Sequence, residues 1–162
     1  MTRTEDIQKP TPAFIGASWL ALLIGLSTYI IGLFNASMEL NEKGYYFTVL
    51  MFGLFAAVSL QKSVRDKTEG IAVTAIYYGL AWFSLVLAVT LLCIGLWNAG
   101  SLELSEKGFY GIAFVMSVFA SVAVQKNVRD VARYKLVTEA PYTEALPPYV
   151  APTPEPPRIP FS

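Results

Sequence analysis

Two acidic-basic pairs stand at matched places in the chain, Glu42-Lys43 and Glu106-Lys107, each followed by a glycine, Gly44 and Gly108. A carboxylate beside an ammonium can act as an acid-base couple, and two such carboxylates brought together could offer oxygen ligands to a hard cation. A second matched pair is more basic: Gln61-Lys62-Ser63-Val64-Arg65-Asp66 and Gln125-Lys126-Asn127-Val128-Arg129-Asp130. Its Lys and Arg could hold an anionic lipid headgroup, or simply anchor helix ends at a membrane surface. The chain has no histidine and a single cysteine, Cys93, which removes histidine-activated nucleophiles, histidine-ligated zinc and any internal disulfide. Two carboxylates flanked by lysines are a meagre set for calcium or magnesium. No catalytic residue, metal site or cofactor is therefore expected, and the chain does not read as an enzyme.

A structural role accounts for both motifs. Asn41 and Ser105 are good N-cap types and predict helices that start at Glu42 and Glu106, with each glutamate near a positive dipole end. Gly44 and Gly108 occupy the places where a capping box needs Glu or Gln, so they predict a partial cap and a close backbone approach. A weak ligand site built from the two turns is the secondary reading. At the basic motifs, Lys62 and Asp66 have the spacing of an i,i+4 pair.

The elements that must carry these residues are membrane helices. Hydrophobic residues make up 54% of the chain and charged ones 15%. Apolar runs at Phe14 to Phe34, Tyr45 to Leu60, Ile71 to Trp97 and Gly108 to Val124 contain no Asp, Glu, Lys or Arg. The first and third exceed the roughly 20 residues that cross about 30 Å of hydrocarbon. The second and fourth, at roughly 17 residues, cover only about 25 Å and must continue through 61–64 and 125–128, with long side chains reaching the headgroups. Four such runs would leave a soluble bundle too little polar surface, and the first is too long for a signal-peptide core.

Charge orients the spans. Arg3, Lys9, Lys62, Arg65, Lys67, Lys126, Arg129, Arg133 and Lys135 fall on one side, and only Lys43 and Lys107 on the other. The positive-inside rule then makes both termini and the middle loop cytoplasmic, with the Glu-Lys-Gly turns facing outward. Phe34, Trp97, Tyr45, Tyr46, Phe109, Tyr110, Tyr77 and Tyr78 suit interfacial aromatic belts.

The halves of the chain repeat. Ile31-Gly-Leu-Phe-Asn-Ala36 matches Ile94-Gly-Leu-Trp-Asn-Ala99 at an offset of 63, which becomes 64 from Glu39-Leu40 over Glu103-Leu104 to Gln61–Asp66 over Gln125–Asp130. This is a duplicated two-helix hairpin, and because each unit crosses the membrane an even number of times, a pseudo-two-fold axis runs along the membrane normal. The fold class is an all-α membrane protein: four transmembrane helices as a tandem repeat of two helical hairpins, N-in/C-in. Small residues at Ala17, Ala21 and Gly25, at Gly53 and Ala57, and at Ala113, Ser117 and Ser121 form ridges for close helix packing.

On Gly32-Leu-Phe-Asn-Ala36, Leu40-Asn-Glu-Lys-Gly-Tyr-Tyr-Phe47, Gln61–Lys67 and their copies Gly95–Ala99, Leu104–Gly111 and Val124–Asp130, the chain resembles the YiaA/YiaB inner-membrane family, most nearly its two-copy type. The resemblance covers roughly 14–133. It implies an integral protein of the bacterial inner membrane in a family with no established molecular activity and at most a loose association with stress responses.

The expected organisation is a cytoplasmic segment 1–13, a first membrane repeat 14–66, a linker 67–70, a second repeat 71–135 and a Pro-rich disordered cytoplasmic tail 136–162. The expected partners are the lipid bilayer, with a homodimer and a cytoplasmic protein bound to the tail as further candidates, and no nucleic acid. The leading function is a non-enzymatic structural or interaction protein. A small transporter or channel is the alternative: Ser27, Thr28, Thr74, Ser84, Thr90, Ser117 and Ser121 could line a polar path, but the runs carry none of the ionisable groups that coupling usually needs.

Overall fold

The computed structural model describes residues 9–139 and consists of four helices: α1 (Pro12–Asn35), α2 (Leu40–Thr68), α3 (Ala75–Asn98) and α4 (Leu104–Glu139). All four are long and apolar enough to cross a membrane. Their ends follow from local chemistry. Thr11 and Thr74 cap α1 and α3, each hydroxyl oxygen accepting a backbone N–H three residues on, from Phe14 and Tyr77 at 3.3 Å. Pro12 occupies the first helical position, where a missing N–H costs nothing. Asn35 and Asn98 end α1 and α3, each amide donating back to the carbonyl four residues earlier at 2.8 Å. Past α2, Gly70 takes a left-handed φ of 75°, and Ile71 and Gly70 donate to the Asp66 and Lys67 carbonyls, a Schellman stop.

The even helices start earlier than Asn41 and Ser105 predict. Glu39 is the N-cap of α2, and the Glu42 carboxylate accepts the Glu39 N–H at 3.0 Å. Glu106 does the same for the Glu103 N–H at 2.8 Å. The glutamate that reaches back fixes the cap three residues before itself, and this overrides the residue preference of Asn41 and Ser105. Gly44 and Gly108 then lie inside the helices, where an added Cβ would meet nothing within 4 Å. They are not points of close approach.

At about 1.5 Å per residue α2 is about 43 Å long and α4 about 54 Å, so both run past the hydrocarbon at the basic end. Residues 67–68 and 136–139 are therefore helical rather than linker and tail, because no proline interrupts α4 before Pro141. The remaining proline-rich segment lies outside the described residues.

The chain connects α1 to α2 and α3 to α4 as hairpins, yet packing crosses between the repeats. Helix α1 lies chiefly against α4, and α2 chiefly against α3, while α2 and α4 meet along the middle. An exchange of repeats maps this pattern onto itself, which puts the pseudo-two-fold axis between α2 and α4. The glycines that permit it are Gly25, Gly32, Gly53 and Gly95. A Cβ at Gly25 would stand 2.7 Å from Ser117 Oγ and 3.0 Å from the Ser117 backbone nitrogen, and one at Gly53 would enter the Phe114 ring. Close backbone approach is how membrane helices associate when lipid offers no hydrophobic contrast. The core holds Tyr29, Leu50, Leu92, Tyr110 and Phe114, and Leu50 and Phe114 are repeat mates, both fully buried. Large apolar side chains such as Phe55 and Phe119, also mates, are more than 70% exposed and face where lipid would lie.

Candidate functional site

The polar residues of both motifs gather at the two ends of the bundle, each time across the pseudo-two-fold. At the basic end, Lys62 pairs with Asp66 at 2.6 Å and Lys126 with Asp130 at 2.8 Å, each within one helix. Between repeats, Arg65 faces Asp130 at 3.8 Å and Arg129 faces Asp66 at 3.6 Å. These four pairs obey the symmetry. Glu69 breaks it: its carboxylate meets both Arg129 and Arg133 on α4, and the equivalent position on α4 is Arg133 itself. The cluster is half-buried, with Asp66 8% exposed and two Arg65 nitrogens buried without a partner among the described residues, so removing one member would leave its partner's charge less solvated than a surface ion. The Gln61 and Gln125 side chains, also mates, carry buried carbonyl oxygens with no partner among the described residues, and between Gln125 and Arg129 on α4 the Asn127 amide donates to Ser18 Oγ at 2.8 Å.

At the opposite end, two clefts repeat one another. Asn41, Glu42, Tyr45 and Tyr46 at the start of α2 face Gly95, Asn98 and Ala99 at the end of α3, around about 220 Å³. Ser105, Glu106, Phe109 and Tyr110 face Gly32, Asn35 and Ala36 around about 350 Å³. Each cleft thus joins one repeat's even helix to the other repeat's odd helix. Gly95 and Gly32 form the floors, where a Cβ would strike Tyr45 at 2.7 Å and Phe109 at 2.9 Å. Tyr45 donates its hydroxyl to the Leu91 carbonyl at 2.6 Å, and Lys43 donates to the Phe34 carbonyl at 3.0 Å. Tyr46 and Tyr110 close the axis between the clefts as a stacked pair, 6.2 Å between centroids and 19° between planes. Among the described residues no group of three or more His, Cys, Asp or Glu is placed to hold a metal.

The sequence that builds these ends matches a family model, the YiaAB yiaA/B two helix domain, twice: over residues 14–66 and again over 77–130. The chain belongs to the YiaAB family. It is a membrane protein made of two tandem YiaAB domains. Inner membrane protein YiaA of Escherichia coli (strain K12) is 55% identical to it over 144 residues, which take in 86% of this chain and 99% of that protein. Uncharacterized membrane protein YubF of Bacillus subtilis (strain 168) is 38% identical over 63 residues, 38% of this chain and 72% of that protein. No solved structure matches the chain.

The two YiaAB domains differ most where they cross the membrane and agree at the ends. Leu50 stands against Phe114, Gly53 against Ser117 and Tyr29 against Leu92, whereas Gly32, Asn35, Glu42, Tyr46, Gln61, Lys62, Arg65 and Asp66 are each matched by the same residue. Sequence reasoning picked out the charged members of both ends. It missed Glu69, because its mate is Arg133 and a repeat comparison hides an opposite-charge pair. It also missed that Asn98 and Asn35 share clefts with Glu42 and Glu106; the signal was available in their common repetition, but only cross-repeat packing brings them together.

Proposed function

We propose that this YiaAB protein is a multi-pass protein of the bacterial inner membrane, with both termini cytoplasmic, that works through interactions rather than catalysis or transport. The observation that carries this reading is the filled axis. A duplicated hairpin would conduct along its pseudo-two-fold, and there the side chains of both repeats meet: Tyr46 on Tyr110 at one end, Leu50 and Phe114 buried in the middle, and the Arg65, Asp66, Arg129 and Asp130 cluster at the other. Hydroxyls at membrane depth are also spent locally, Ser117 on the Ala113 carbonyl at 2.7 Å and Thr90 on the Val86 carbonyl at 2.8 Å. The relative named an inner membrane protein supports the location, and the basic helix ends support the orientation.

Crosslinking from native membranes, with the chain intact and then truncated after Glu139, the last residue of α4, tests the interaction reading. A discrete adduct that depends on the tail is expected. Solute or ion flux through proteoliposomes that hold only the purified chain would overturn it.

A further inference from the structure

The outer clefts have chemistry that helix capping leaves unused. Glu42 spends one carboxylate oxygen on the Glu39 N–H, yet a carboxylate has about four acceptor positions. Asn98 and Asn35 donate an amide hydrogen to their own helices, which leaves their side-chain carbonyl oxygens as acceptors. Tyr46 is only 4% exposed and Tyr110 3%, and each lines a cleft. The Tyr46 hydroxyl lies 3.3 Å from where a Gly95 Cβ would stand, and that of Tyr110 3.4 Å from the corresponding point at Gly32. Neither hydroxyl bonds a described residue. Glu42 or Glu106 is the sole formal charge on each lining, and Lys43 donates to the Phe34 carbonyl at the end of α1 rather than into the Glu42 cleft. The linings are thus rich in acceptors, singly negative and walled by aromatic rings, which attract cations as well.

We propose that each outer cleft binds the ammonium group of a small organic amine, with Glu42 or Glu106 as counter-ion and the Tyr46 or Tyr110 hydroxyl and the Asn98 or Asn35 carbonyl as further acceptors. An ammonium carries three donors and no acceptor, the complement of this set. The clefts are too large and too poor in carboxylates for a bare divalent ion. The site depends neither on the transmembrane orientation nor on the interaction reading.

Calorimetry on the full chain in nanodiscs, with methylammonium and putrescine as probes, tests the proposal. Saturable binding at two sites per chain is expected, one per cleft. Glu42→Gln keeps the capping acceptor and should weaken one site by roughly tenfold, the doubly substituted Glu42→Gln, Glu106→Gln chain should weaken both sites by roughly tenfold each, and Tyr46→Phe should weaken its own cleft by roughly fivefold. Circular dichroism and gel filtration check folding; if a Gln variant misfolds, Tyr46→Phe with Tyr110→Phe decides. The proposal is overturned if neither amine binds saturably, if the variants bind like the parent, or if potassium or magnesium displaces the amines at matched ionic strength.

Discussion

Replacing Gly25 by alanine isolates the contact that holds α1 on α4. The new Cβ would stand 2.7 Å from Ser117 Oγ, 3.0 Å from its backbone nitrogen and 3.3 Å from its Cα. The hydroxyl can turn aside, but the backbone atoms move only if the helices separate. Overpacking of this kind costs about 1–3 kcal/mol, and a backbone clash belongs at the upper end. Alanine returns about 0.5–1 kcal/mol of helix propensity, leaving a net loss of about 2 kcal/mol. The other interface supplies the compensating change: at the equivalent positions Ala88 faces Gly53, and a Cβ on Gly53 would sit 3.7 Å from that of Ala88. Gly25→Ala combined with Ser117→Gly recreates that pairing, and because the helix-propensity terms of the two changes oppose, stability should return to within about 1 kcal/mol of the parent. Reversible unfolding in mixed micelles reads both values. A Gly25→Ala chain as stable as the parent, or a double variant no better than the single one, would refute cross-repeat packing through this contact.

Gly44→Ala and Gly108→Ala, by contrast, should each raise stability by about 0.5–1 kcal/mol in the same assay, since their sites are open and helical. Glu42→Ala should cost about 1 kcal/mol by removing the acceptor for the Glu39 N–H, while Glu42→Gln should cost much less; equal losses would show that the cap is not what Glu42 contributes. Each carboxylate meets one Lys and one Arg, so burial decides: Asp66→Asn should lower the unfolding midpoint more than Asp130→Asn, because the Asp66 side chain is 11% exposed and that of Asp130 27%. Reporter fusions after Lys135 should read cytoplasm and those after Ser37 or Ser101 periplasm, and the reverse pattern would sink the charge-based orientation.

The spans, their number and the duplication were legible in one dimension, because hydropathy, length and a fixed offset are local quantities that survive without coordinates. The sequence also singled out Glu42, Glu106, Arg65, Asp66, Arg129 and Asp130, since charges at the edges of apolar runs stand out in one dimension. It misplaced the caps at Asn41 and Ser105 because a side chain reaching back three residues outranks the preference of the residue it passes over. It read Gly44 and Gly108 as contact points because glycine looks alike wherever it occurs, whereas the contact glycines, Gly25, Gly32, Gly53 and Gly95, are defined by what faces them. That each repeat's odd helix packs on the other repeat's even helix has no one-dimensional signature, because it depends on which faces meet in space. That exchange makes the pairing of Arg65 with Asp130 and of Arg129 with Asp66, and the cleft that Glu42 shares with Asn98, a property of the two repeats together, which neither hairpin could form alone.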